Sequence, residues 1–166
     1  MGLLVSKTDF VGNFALSKTI SDKIDAFIDE FEEQYLIDLL GAELFKLFKA
    51  DVDAPTKKPE TDIYLAIYNE INEDYSGCVM RSKGLKDMIL GFIWFEYVRA
   101  TAYSHTGTGI VAGSNEVSKN VGLDDSYIYR NYNASVAAYG VIQWYICNTN
   151  DYPLFNGQNK LLAWRL

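Results

Sequence analysis

Residues 82–103 read SKGLKDMILGFIWFEYVRATAY, and this stretch decides the fold. Leu85, Met88, Ile89, Phe92 and Phe95 recur at three- and four-residue steps and make one apolar stripe. Leu90, Ile93, Trp94 and Tyr97 make a second stripe on another side. A helix apolar over so much of its circumference is buried on several sides. Its cover must come from the same chain or from neighbouring copies. Glu96 sits inside this apolar run, three residues before Arg99. A helical i,i+3 ion pair is the simple reading, and a partner in another subunit is the alternative.

The pattern extends outward in both directions. Residues 21–40 read as a helix with Ser21 as N-cap and Asp22 and Asp25 at the positive end of the macrodipole. Ile24, Phe27, Ile28, Phe31 and Tyr35 form its stripe. Gly41 interrupts it, and residues 42–50 continue as a second helix with Leu44, Leu47 and Phe48 on one side. Pro55 and Pro59 mark residues 51–60 as a loop. Residues 61–68 can form a short helix, whereas residues 69–77 are polar and turn-like. Residues 104–122 are rich in Gly, Thr, Ser and Asn and read as an extended excursion, a β-hairpin turning near residues 113–115. The last long helix spans residues 124–148, with Ile128, Tyr132, Val136, Tyr139, Ile142 and Ile146 as its large stripe. Ala134, Ala137, Ala138 and Val141 make a small-residue stripe beside it. The tail, residues 151–166, is too apolar for a solvated terminus. The expected fold is all-α: a small helical bundle with two long helices, a β-hairpin or extended loop between them, and an extended C-terminal arm. The helical domain would be residues 1–150 and the arm residues 151–166.

With 166 residues, 49% hydrophobic and 22% charged, the chain has the composition of one globular domain. A net charge of −7 argues against a general nucleic-acid binder. No apolar run is long enough to cross a membrane, and the first residues lack the basic flank and apolar core of a secretory signal. Met1-Gly2 with Ser6 meets the bare myristoylation pattern, but without a polybasic stretch or second lipid signal it reads as coincidence. Cys78 and Cys147 make neither a metal-ligand spacing nor a disulfide framework. His105 is the single histidine and lies in the flexible excursion, so no nucleophile–base site and no zinc site is expected. No metal and no cofactor is implied.

Residues 21–40 hold seven acids against Lys23 alone, and so carry most of the net charge. Acids on the polar side of an amphipathic helix are usually a solvated face. The functional reading is a negative surface aimed at a partner, with Asp22, Asp25, Asp29, Glu32 and Glu33 as its candidates. A small metal-dependent hydrolase using these acids is a remote alternative, because acid clusters without placed partners rarely make a site. Arg81, Lys83 and Lys86 crowd a helix start against its macrodipole. Either Glu70, Glu73 and Asp74 offset them locally, or they meet a phosphate or an acidic partner. No catalytic constellation emerges, and the chain reads as a non-enzyme.

The remaining oddity is aromatic content: 12 Tyr, 9 Phe and 3 Trp, or 14%. Tyr and Trp are favoured at subunit interfaces, where one end of the ring is packed and the other wet. This points to self-assembly, with Leu90, Ile93, Trp94, Tyr97, Ala134, Ala137, Ala138 and Val141 as interface candidates. The competing expectation is that the hairpin and tail of the same chain cover the second stripe.

Residues 35–45 (YLIDLLGAELF), 84–99 (GLKDMILGFIWFEYVR), 107–121 (GTGIVAGSNEVSKNV) and 132–157 (YNASVAAYGVIQWYICNTNDYPLFNG) resemble head–tail connector proteins of tailed bacteriophages. The likeness is closest to adaptor proteins of crAss-like phages. It lies in the order and spacing of helix-packing patterns, not in catalytic signatures. It implies a homo-oligomeric ring, typically a dodecamer, that joins the portal to the tail and continues the DNA channel. DNA would pass without specific binding, and no membrane would be involved. The protein would reside in the virion neck, after assembly in the host cytoplasm. Carried onto this chain, the hairpin would be residues 104–122. The portal-binding arm would be residues 151–166, anchored by Leu154, Phe155, Leu161, Leu162 and Trp164. The acidic helix would be the candidate lumen face. A stopper or tail-terminator ring of the same neck region is the alternative.

Overall fold

A computed structural model describes residues 2–16, 23–101, 103–106, 109–112 and 126–157 of the chain. Five helices follow in order: α1 (Ile24–Leu40), α2 (Ala42–Asp51), α3 (Asp62–Tyr68), α4 (Leu85–Thr101) and α5 (Ser126–Asn148). Short 3-10 turns at Lys7–Asp9 and Gly12–Phe14 precede them. Three antiparallel pairs are interleaved: β1 (Val52–Asp53) with β2 (Lys58–Pro59), β3 (Ile71–Tyr75) with β4 (Cys78–Ser82), and β5 (Tyr103–Thr106) with β6 (Gly109–Ala112). The all-α expectation is therefore corrected to a helical body carrying three small β-hairpins.

The centre is α4. Every residue from 88 to 97 is buried, and Leu85 with them. Helix α1 runs antiparallel to it: Phe27 meets Tyr97 edge-on at 5.3 Å, and Tyr35 stacks on Phe92 at 4.4 Å. Helix α5 is antiparallel on another side, with Tyr132 at 4.5 Å from Phe95 and Tyr139 at 6.5 Å from Phe92. Gly91 faces Ser135 so closely that a Cβ there would strike its hydroxyl. Each such aromatic pair adds about 0.5–1.5 kcal/mol beyond the area it buries.

Helix α1 starts at Ile24 with Lys23 in the cap position, while Ser21 and Asp22 lie outside the described residues. Gly41 then turns the chain from α1 into α2 at φ 80°, a conformation L side chains avoid. The loop of residues 51–60 closes on the β1–β2 pair, with the Asp51 carboxylate accepting the backbone N–H groups of Glu60 and Thr61 at the entry to α3.

Residues 69–77, expected to be turn-like, contain strand β3. Its hairpin closes through Ser76 (φ 51°) and Gly77 (φ 81°), so both central residues of the two-residue turn are left-handed. The excursion after α4 does contain a hairpin, but its register pairs Thr106 with Gly109. The strands of this hairpin therefore pair ahead of residues 113–115, the expected turn, which lie outside the described residues.

Replacing Phe92, which touches Tyr35, Tyr132 and Tyr139, removes the middle of this packing. Phe92→Ala is expected to lower the unfolding free energy by about 3–5 kcal/mol in urea titrations. Val11→Ala, at a side chain 67% exposed, should change it by less than about 0.5 kcal/mol. Equal effects of the two would show that α4 is not the centre.

Candidate functional site

The α4 residues expected at a subunit interface are covered within the single chain. Leu90, Ile93, Trp94 and Tyr97 are all buried. Phe14 lies over Trp94 at 6.4 Å, Tyr127 meets it edge-on at 5.9 Å, and Phe27 covers Tyr97. Among the described residues this cover comes from the N-terminal segment, α1 and α5. On α5, Ala134 and Ala137 are exposed, whereas Ala138 and Val141 are half-buried against the core. The many tyrosines are also used internally. The Tyr139 hydroxyl donates to the Asp38 carbonyl at 2.9 Å, and the Tyr152 hydroxyl to the Ile63 carbonyl at 2.5 Å. Burial pushes both phenols well above their ordinary range.

Glu96 and Arg99 form the i,i+3 pair at 2.6 Å. The Tyr35 hydroxyl donates to the other Glu96 oxygen at 3.1 Å. Burial, and then the neighbouring carboxylate, push the Tyr35 phenol up.

The acidic helix splits into two kinds of site. Asp25, Asp29 and Glu33 are exposed, as is Glu30 beside them, while Asp22 lies outside the described residues. Glu32 is different: only 2% of it is exposed. Its carboxylate accepts three successive backbone N–H groups, from Leu3 at 2.5 Å, Leu4 at 2.7 Å and Val5 at 2.9 Å. From the opposite side, the Lys57 ammonium donates to the carbonyls of Gly2 at 2.9 Å and Val5 at 2.7 Å. Lys57 is aimed there by a left-handed backbone, φ 56°, in the β1–β2 turn. Gly2 lies so close to Ile28 and Glu32 that a Cβ would not fit. Further along, Asp9 pairs with Lys86 at 2.7 Å. Burial alone would raise Asp9, but hydrogen bonds from Lys86 and Ser6 outweigh it and hold the carboxyl below its usual value. These contacts seat Leu4 and Val5 in the core with no exposure. The sequence signal was present: Glu32 falls on the line Ile24, Ile28, Leu36 at four-residue steps, so it faces inward. Lys57 and Gly2 carried no such signal.

The basic residues near the start of α4 are also resolved. Lys86 is taken by Asp9, and Arg81 donates to the Asn72 side chain at 3.2 Å. Lys83 lies with Lys58 on an open groove of about 430 Å³. Glu70 reaches the same groove, whereas Glu73 and Asp74 sit on β3 opposite Met80 and Val79.

The first part of the expected arm folds back. Asn156 donates its backbone N–H to the Leu40 carbonyl at 3.5 Å, Gly157 is buried, and Phe155 packs against the core. Leu154 is exposed, and Leu161, Leu162 and Trp164 lie outside the described residues. Among the described residues no three His, Cys, Asp or Glu side chains are placed to hold a metal ion, and no helix is long and apolar enough to cross a membrane. Both cysteines are exposed and free. No family model, curated protein or solved structure matches the chain.

Glu32→Gln keeps one acceptor oxygen but turns an amide donor toward the Leu3 N–H. The expected cost is about 1–3 kcal/mol of stability at neutral pH. Burial, partly opposed by the three N–H bonds and Lys57, raises the Glu32 pKa above its ordinary 4.5. Between that value and the raised one the native chain binds more protons than the unfolded chain. Glu32 therefore makes stability fall as pH rises through this window. The slope should vanish in Glu32→Gln when unfolding is titrated against pH, and an unchanged slope would exclude Glu32 as its source.

Proposed function

We propose that the protein is a structural ring component of a tailed-bacteriophage neck, a head–tail connector of the adaptor type. The observation that carries this reading is the pair of long antiparallel helices, α4 and α5, with the β5–β6 finger inserted between them in sequence. That is the position the connector resemblance assigns to the protruding loop. Two further features support it. The outward acids of α1 give one surface that repels phosphate, which suits a channel that passes DNA without holding it. The small exposed residues Ala134 and Ala137 let another backbone approach α5 closely. Leu154, with Leu161, Leu162 and Trp164 beyond the described residues, is assigned to portal contact.

The work done is physical. An apolar arm that orders on the portal loses entropy as it binds, so assembly follows portal formation rather than preceding it. Identical weak contacts then add around the ring.

Mixing the purified chain with a purified portal protein should convert a monomer or weak oligomer into rings visible by electron microscopy. Truncation after Gly157 should abolish portal binding while leaving the melting temperature within a few degrees. A chain that stays monomeric and ignores portal discards the proposal. Binding to an adaptor or tail component in place of portal would reassign it to a stopper or terminator ring.

A further inference from the structure

Two buried donors are without an acceptor among the described residues: the indole N–H of Trp94 on α4 and the side-chain amide nitrogen of Asn131 on α5. Trp94 is only 6% exposed. Leaving a buried donor unmade costs the full loss of its hydration, so native interiors rarely do it.

The packing of the two central helices puts both donors in one layer. Helices α4 and α5 are antiparallel, and Gly91 faces Ser135. One turn onward along α4 come Trp94 and Phe95, and one turn back along α5 come Asn131 and Tyr132. Phe95 meets Tyr132 at 4.5 Å, and Trp94 meets Tyr127 edge-on at 5.9 Å. Asn131 lies four residues after Tyr127 and four before Ser135, so it shares with them the α5 face that covers Gly91 and Trp94. Phe14 closes the layer on a further side, with its ring 6.4 Å from that of Trp94 and 3.6 Å from where a Gly91 Cβ would be.

The chemistry of the layer selects its occupant. An indole N–H only donates, and an amide nitrogen only donates, so what joins them must accept two hydrogen bonds. No Lys, Arg or His is buried among the described residues, and an anion held here by neutral donors between aromatic rings would lose its hydration without a counter-charge. A water molecule carries no such cost, accepts twice, and has protons to give. Ser135 is buried and spends its own proton on the Asn131 carbonyl at 3.3 Å, which leaves the hydroxyl oxygen as an acceptor beside Gly91. Two donors and one acceptor make up the roughly three hydrogen bonds that a buried water forms.

We infer that Trp94, Asn131 and Ser135 form an internal binding site for one water molecule, which accepts from the first two and donates to the third. The water is a polar joint between α4 and α5 inside an otherwise apolar contact. The site is independent of the ring reading above.

The test is NMR of the full chain labelled with 15N in tryptophan, with Trp94→Phe identifying the Trp94 indole signal. Cross-relaxation with water is read in the rotating frame, where chemical exchange has the opposite sign. The wild-type Trp94 indole proton should show a water peak of the sign given by a water that tumbles with the protein. Ser135→Ala and Asn131→Leu should each lose that peak, while the signals of Trp144 and Trp164 stay in place and report that the variant is folded. Ser135→Ala only removes an oxygen, so it serves as the decisive variant if Asn131→Leu fails to fold. A wild-type Trp94 proton with no water peak would overturn the site, as would a contact of that proton with the Asn131 carboxamide oxygen in place of water. A water peak that survives in either folded variant would overturn the assignment of these three residues.

Discussion

The fold depends on one constraint: α4 has no polar side along residues 88–97, so water must be excluded from its whole circumference. Fully burying a Phe, Ile or Leu side chain stabilises by about 1.5–3 kcal/mol, and this helix offers such residues in every direction. Four neighbours answer that demand, namely α1, α5, α3 and the N-terminal segment. Glu96, the acid inside this run, is tolerated because Arg99 and the Tyr35 hydroxyl both reach it, which avoids an unpaired buried charge.

The N-terminal segment shows how irregular chain becomes part of a core. Residues 3–5 belong to no helix or sheet, so their backbone groups have no ladder to join. Glu32 and Lys57 supply what a sheet would have supplied: acceptors for three N–H groups and a donor for two carbonyls. Only with those groups satisfied can Leu4 and Val5 be fully buried. The acid that looked like part of a charged face is therefore a structural bond. Of the exposed acids around it, Glu33 is paired with Lys49 at 3.1 Å.

Much of the helical body was legible because periodicity is a direct record of burial. The long segments around Phe27, Phe92 and Tyr139 were found within a few residues of their ends. The β3–β4 hairpin was not, because only Ile71 and Ser82 of its strands are buried, so no alternating pattern is written into it. Its one signal was the Ser76-Gly77 dipeptide at the turn. The interface assignment on α4 failed for another reason. Apolar stripes state that a side chain is covered, not by which chain. Phe14 and Tyr127, which cover Trp94, lie far from it in sequence and belong to no shared pattern. Glu32 was misread because charge was counted by segment, when its position on the Ile24–Ile28–Leu36 line set its direction.

With the large apolar stripes satisfied inside one copy, association has to use what stays outside. The exposed large apolar side chains among the described residues, such as Leu47, Tyr75, Val79 and Leu154, come from separate elements. No single element presents them as a continuous stripe of the kind α4 hides, which limits what they can contribute to a strong dimer. Charge stays outside too: exposed acids collect along α1, where Lys49 meets Glu33 at 3.1 Å, and Lys58, Lys83, Glu70 and Asp87 share the groove at the start of α4. Contacts between exposed charges are weak one at a time and screened by salt. They become sufficient when a template holds many copies in register and each new contact is effectively intramolecular. For the proposed ring, a hidden core with polar edges would favour forming on a template over forming in free solution.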